Sequence, residues 1–158
     1  METEALSIEG IELVVPAFLV QWWPHQLPLE EFPSFCGAGG GLGDAIVPET
    51  CYGLRLSASC FIHDISWLVA EASWAAFHQS NSMFLHNSLA IIQARSRFPL
   101  KQLRAYRAVT YFNAVDTLGA TYFWDEKRQG DAWDDPLDHP LVLEKLARVG
   151  MTPVLQAA

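Results

Sequence analysis

The sequence predicts a single, mainly α domain built on two antiparallel helices, with a glycine-rich loop before them, a third helix after them and irregular termini. Three observations predict it. Apolar residues recur at helical spacing over about 57–72, 79–95 and 100–118. Five glycines crowd between Gly37 and Gly43, where no regular element can form. Pro16, Pro24, Pro28 and Pro33 interrupt the lead-in too often for a long helix.

The bulk properties agree with one globular domain. At 158 residues, 51% hydrophobic and 18% charged, the chain is long and apolar enough to bury a substantial core, and its six tryptophans add large buried surfaces. A net charge of -8 argues against a nucleic-acid partner bound through a general basic field. The charge is uneven, because Arg95, Arg97, Lys101, Arg104 and Arg107 follow a stretch whose only basic residue is Arg55. Such a cluster is either a solvated helix face or a patch for lipid headgroups. The N-terminus, Met1-Glu2-Thr3-Glu4, is acidic where a signal peptide would be basic. The apolar run from Ile11 to Trp23 is broken by Glu12, Pro16 and Gln21 and is too short to span a bilayer. The expectation is therefore a cytoplasmic chain. Three cysteines permit at most one internal disulfide.

Residues 1–34 read as an irregular or extended lead-in, with one short strand suggested by Ile11-Glu12-Leu13-Val14-Val15. Phe18, Trp22 and Trp23 belong either to a membrane interface or, as for most such aromatics, to one face of the core. The loop beginning at Cys36 allows positive φ and close approach of backbone to an ion, but it lacks the Lys-Ser/Thr of a P-loop. In the first helix, Cys60, His63, Asp64, Trp67 and Glu71 fall on one narrow stripe, while Phe61, Ile62, Ile65, Leu68 and Val69 cover the rest. In the second, Asn81 shares a face with Phe84, Leu85, Ser88, Leu89 and Ile92, whereas His86, Asn87 and Gln93 point elsewhere. A buried Asn needs polar partners, and His63 is the obvious one if the helices are antiparallel neighbours. The third helix is expected to end at Gly119 in a glycine cap. Acidic, turn-like segments follow, then a short helix near 141–149.

These residues resemble the phospholipase A2 superfamily, whose members place a Cys-Gly-x-Gly-Gly calcium loop before a helix carrying Cys-x-x-His-Asp-x-x-Tyr. Here the runs are Cys36-Gly37-Ala38-Gly39-Gly40 and Cys60-Phe61-Ile62-His63-Asp64-Ile65-Ser66-Trp67. The compact phospholipase A2-like proteins of phages and prophages are especially similar, joining the motifs through a Val-Pro and a Gly-Leu, here Val47-Pro48 and Gly53-Leu54. The likeness covers 35–128 of a single 1–158 domain, with 129–158 as a tail. It implies Ca²⁺ held by Asp64 and by the backbone carbonyls of Phe35, Gly37 and Gly39. It further implies an oxyanion donor at Gly37, His63 as general base toward water, and Cys36 and Cys60 at positions that can join loop to helix. In a reducing compartment those two would remain thiols.

Two substitutions depart from the family pattern at the site. Trp67 replaces a supporting Tyr, and an indole donates but cannot accept. The Asp that orients the family's His corresponds to Asn81, which can hold an imidazole but adds no charge. In the serine-protease triad the equivalent change costs about 10⁴ in kcat. Glu71 lies roughly 12 Å along the helix from His63, too far to substitute, while Asp116 or Asp125 would approach only through tertiary folding. Two readings follow: Ca²⁺-dependent hydrolysis of the sn-2 ester of glycerophospholipids, weakened by Asn81, or a catalytically degenerate module that binds a phospholipid or membrane surface. A transition-metal site at Cys36, Cys60 and His63 is a third reading.

Overall fold

The computed structural model describes residues 1–23, 27–36, 50–129 and 135–151. Its lead-in is more regular than the sequence suggests. Strands β1 (Thr3–Ile8) and β2 (Ile11–Pro16) form an antiparallel hairpin in which Ile8 faces Ile11 and Thr3 faces Pro16. The two-residue turn needs positive φ at both positions, taken by Glu9 (51°) and Gly10 (76°). Glu9 tolerates that conformation while its carboxylate accepts from Arg95 at 2.6 Å. Leu6, Ile8, Ile11, Leu13 and Val15 alternate inward, as a half-buried strand pair requires.

A two-residue strand pair, β3 (Thr50–Cys51) with β4 (Leu54–Arg55), leads into the helices. Helix α1 spans Ser57–Val69, α2 Trp74–Arg95, α3 Leu100–Gln129 and α4 Pro140–Arg148. Single 3-10 turns lie at Ala17–Leu19, Leu29–Glu31 and Pro136–Asp138. The predominance of helix is as expected.

Helix α1 stops at Val69, short of the expected boundary, and Glu71 lies outside it. Ser73 then caps α2, its Oγ accepting from the Ala76 N–H at 3.1 Å, so α2 begins five residues before the expected Gln79. The helices run antiparallel: Ser59 Oγ pairs with Ser88 Oγ near one end, and His63 with Asn81 further along. Asn87, assigned to another face by periodicity, is fully buried. Its side chain accepts from Val14 N–H at 2.8 Å and donates to Val14 C=O at 2.7 Å, so it completes β2 as a neighbouring strand would. Helix α2 thus buries one face against α1 and another against the hairpin.

The third helix corrects the expected glycine stop. It continues through Gly119 to Gln129. A Cβ built at Gly119 would lie 2.6 Å from Cη2 of Trp67. This glycine therefore gives an indole room to press against a helix interior, rather than ending the helix. Phe77 and Phe123 pack around the same indole, forming a small aromatic core. The larger core gathers Leu13, Leu19, Phe32, Phe61, Ile62 and Ile65. Trp23 lies inside it, and Phe18 and Trp22 pack on its edge, in line with the core reading of those aromatics. Among the described residues, no helix is long and apolar enough to cross a membrane.

Candidate active site

The stripe on α1 meets α2 at one polar junction. His63 is buried between the rings of Trp67 (4.6 Å between centroids) and Phe84 (5.4 Å). Its Nε2 lies 2.9 Å from Asn81 Oδ1, which also accepts from Trp67 Nε1 at 3.0 Å. Asn81 is itself fully buried, and its Nδ2 donates to Asp116 Oδ1 at 2.9 Å. His78 Nδ1 reaches the same Asp116 oxygen at 2.8 Å. A hydrogen-bonded chain thus runs from His63 through Asn81 to Asp116 and His78.

The partners determine which way the Asn81 amide points. The Trp67 indole can only donate, and an ionised carboxylate can only accept. Flipping the amide would set two donors against each other at Trp67 and two acceptors at Asp116. The oxygen consequently faces His63, so that a neutral His63 donates from Nε2 and carries its lone pair on Nδ1. Asn81 thus favours the Nε2–H form of a neutral His63. Trp67, unable to accept, is suited to this position because donation is what Asn81 Oδ1 needs.

Asp116 is well placed to stay ionised. Desolvation pushes its carboxyl upward, but hydrogen bonds from Asn81 and His78, with the nearby His78 charge, outweigh that and hold its pKa below the ordinary value. A carboxylate charge therefore lies one amide beyond His63. No periodicity signal on α3 identifies Asp116, because its role depends on the packing of α3 against α2. His78, one of the scattered histidines that read as ordinary surface or satisfied residues, belongs to the same hydrogen-bonded chain.

On the other side of His63, Nδ1 lies 3.8 Å from Asp64 Oδ1. Asp64 Oδ2 accepts from Lys145 Nζ of α4 at 2.8 Å. The sequence did not indicate Lys145, which lies 81 positions from its partner. Phe35 is buried beneath two cations, with Lys145 Nζ 5.7 Å and Arg148 Cζ 4.4 Å from its ring centre. Gly37 and Gly39, the expected loop ligands, lie outside the described residues, as does the Val47-Pro48 segment. As arranged, Asp64 Oδ2 is paired with the Lys145 ammonium rather than turned to solvent alone.

Cys36 and Cys60 are joined in a disulfide, with Cα atoms 5.2 Å apart. Both thiols are thereby consumed, which removes them as ligands for a transition metal. Cys51 is free and buried, and burial pushes its thiol pKa up, against the pull of Arg104 and Arg107. It stays a protonated, unreactive thiol.

The basic run from Arg95 to Arg107 is partly committed to structure. Arg104 donates to the Cys51 and Tyr52 carbonyls and to Ser96 Oγ, Arg95 pairs with Glu9, and Arg107 donates to the Tyr111 hydroxyl. Comparison with family models, curated proteins and solved structures finds no match for the chain.

Proposed function

We propose that this chain is a phospholipase A2-like hydrolase in which His63 activates water toward the sn-2 ester of a glycerophospholipid. The observation that carries the proposal is the 2.9 Å contact between His63 Nε2 and Asn81 Oδ1: the amide oxygen accepts the Nε2–H hydrogen bond and leaves Nδ1 as the base. In this reading Nδ1 removes a proton from water while the water oxygen attacks the ester carbonyl. The resulting tetrahedral intermediate collapses by breaking its bond to the glycerol oxygen, which receives the proton from His63. The products are a free fatty acid and a lysophospholipid. Asn81 holds the ring throughout, and Asp116 supplies negative charge beyond the amide as imidazolium forms. Trp67 and Phe84 restrict the ring to that orientation.

The test is release of sn-2 fatty acid from phospholipid vesicles by the intact chain. Release is expected to fall at least about a hundredfold in His63→Ala, within the usual range for loss of a general base. Release no greater than the His63→Ala background would overturn the proposal.

A second reading is favoured by one observation, the closure of Asp64 by Lys145. In that reading the chain is a degenerate homologue that keeps the fold as a lipid-binding module. It predicts vesicle binding that is equal in the unaltered chain and His63→Ala, with no fatty acid released by either.

A further inference from the structure

We infer that Lys145 is the resident cation of the site, holding the position on Asp64 that the phospholipase A2 resemblance gives to Ca²⁺, so that a divalent ion binds Asp64 only when Lys145 is removed. The inference about competition stands independently of hydrolysis. Its consequence for the substrate rests on the reading given above.

Three features of α4 support it. The first is the contact itself: Lys145 Nζ sits 2.8 Å from Asp64 Oδ2, with 23% and 27% of the two side chains exposed. A pair removed this far from water is screened less than a surface pair. A divalent ion on the same oxygen would face the ammonium within a few ångströms, and like charges at that separation repel strongly in a partly desolvated site.

The second feature is the anchoring of the helix. Val142 and Leu146 are fully buried and belong to the main core, so α4 cannot turn freely about its axis. Lys145 is thereby aimed across α1 at Asp64.

The third feature is the treatment of Phe35. Arg148 and Lys145 both lie against its ring, and Arg148 also donates to the Ser34 carbonyl at 2.7 Å. The same helical turn that neutralises Asp64 thus also secures the residues leading into the glycine-rich loop.

An ammonium has three donors, and Asp64 Oδ2 uses one. The remaining two suit an anionic oxygen: a phosphodiester oxygen of the substrate or the oxyanion that develops during ester attack. Lysine binds such groups as a compact point charge, which is part of what a divalent ion would supply there.

Calcium titration of the full chain by isothermal calorimetry tests the inference. Lys145→Met keeps an apolar stem over Phe35 while removing the charge. It is expected to bind Ca²⁺ at least tenfold more tightly than the unaltered chain, and adding Asp64→Asn should abolish that gain. Lys145→Arg, which keeps a cation, should bind no more tightly than the unaltered chain. Equal Ca²⁺ affinity with and without Lys145, or no Ca²⁺ binding by Lys145→Met, would overturn it. If Lys145→Met loses its helical circular dichroism, Lys145→Gln replaces it under the same criteria. Where fatty acid release is observed, a calcium chelator should leave it within about twofold. A tenfold loss would overturn the inference while leaving the hydrolase reading intact, whereas absence of release would count against hydrolysis alone and leave the calorimetry decisive.

Discussion

Asn81 donates from Nδ2 to Asp116 Oδ1 at 2.9 Å, and this bond links His63, Asn81 and Asp116 in a three-part relay. The amide passes orientation from a carboxylate on α3 to an imidazole on α1. It also decides what Asn81→Asp should do.

Asn81→Asp alone would place a buried carboxylate at hydrogen-bonding distance from the partly exposed Asp116, where ionisation of one opposes ionisation of the other. We expect this variant to lose about 1–3 kcal/mol of stability at neutral pH through the lost donor and the forced proton uptake. Combining Asn81→Asp with Asp116→Asn exchanges the two groups, returning a donor to the pair and a charge to His63. Urea denaturation of the single and double variants measures the coupling. Fatty acid release should rise in the double variant, not in Asn81→Asp alone. Equal stability of Asn81→Asp in both backgrounds would contradict the relay.

Removing the carboxylate by Asp116→Ala frees the Asn81 amide of one of its two orienting partners. The expected result is a mixed population of His63 tautomers in nitrogen-resolved magnetic resonance spectra, where the unaltered chain shows Nε2–H alone. An unchanged tautomer would show that Trp67 suffices by itself.

The Asp116 pKa also has a sign that can be tested. Its value is held below the ordinary 3.8, so the folded chain binds fewer protons there than the unfolded chain does. Its contribution to stability is present above 3.8 and is lost as pH falls through the lower folded value. Acid unfolding followed by circular dichroism should therefore be less steep near and below that pH in Asp116→Asn, which will start from a lower neutral-pH stability.

At Gly119, substitution by Ala opposes two effects. Helix propensity favours Ala by about 1 kcal/mol. The new Cβ, 2.6 Å from the Trp67 indole, must push that ring away from Asn81 or bend α3. Overpacking of this kind costs about 1–3 kcal/mol, so a net loss of stability is expected in denaturant titrations. Pairing Gly119→Ala with Trp67→Phe should relieve most of the packing cost, because the smaller ring removes the obstructing atoms.

The Cys36–Cys60 bridge closes a segment with a sequence separation of 24. Chain-entropy reasoning gives about 3.5 kcal/mol for a loop of this size. Cys36→Ser with Cys60→Ser should lower the denaturation midpoint accordingly, and reduction of the unaltered chain should do the same. An unchanged midpoint in both experiments would show that the bridge contributes little.

Local chemistry made several elements legible. The apolar coverage of α1, the stripe bearing His63 and Asp64, and the need of a buried Asn81 for a polar partner all follow from spacing within one or two helices. The strand near Ile11 was readable from its β-branched residues, but its partner was not, because Thr3 to Ile8 alternates weakly and acquires its meaning by pairing. Helix α3 was cut short because glycine is both a stop signal and a space-saving residue, and only the position of Trp67 distinguishes them.

The sequence by itself determined that a histidine, an aspartate and an asparagine lie on helices able to face one another, since helical periodicity is a local property. The tertiary structure decided how those groups are used. Asp116 is 35 positions from Asn81, and Lys145 is 81 from Asp64. No local pattern reports such pairings, yet hydrogen bonds and ion pairs act over about 3 Å. The tautomer of His63 and the charge opposite Asp64 were therefore settled only when α3 and α4 packed against the first two helices.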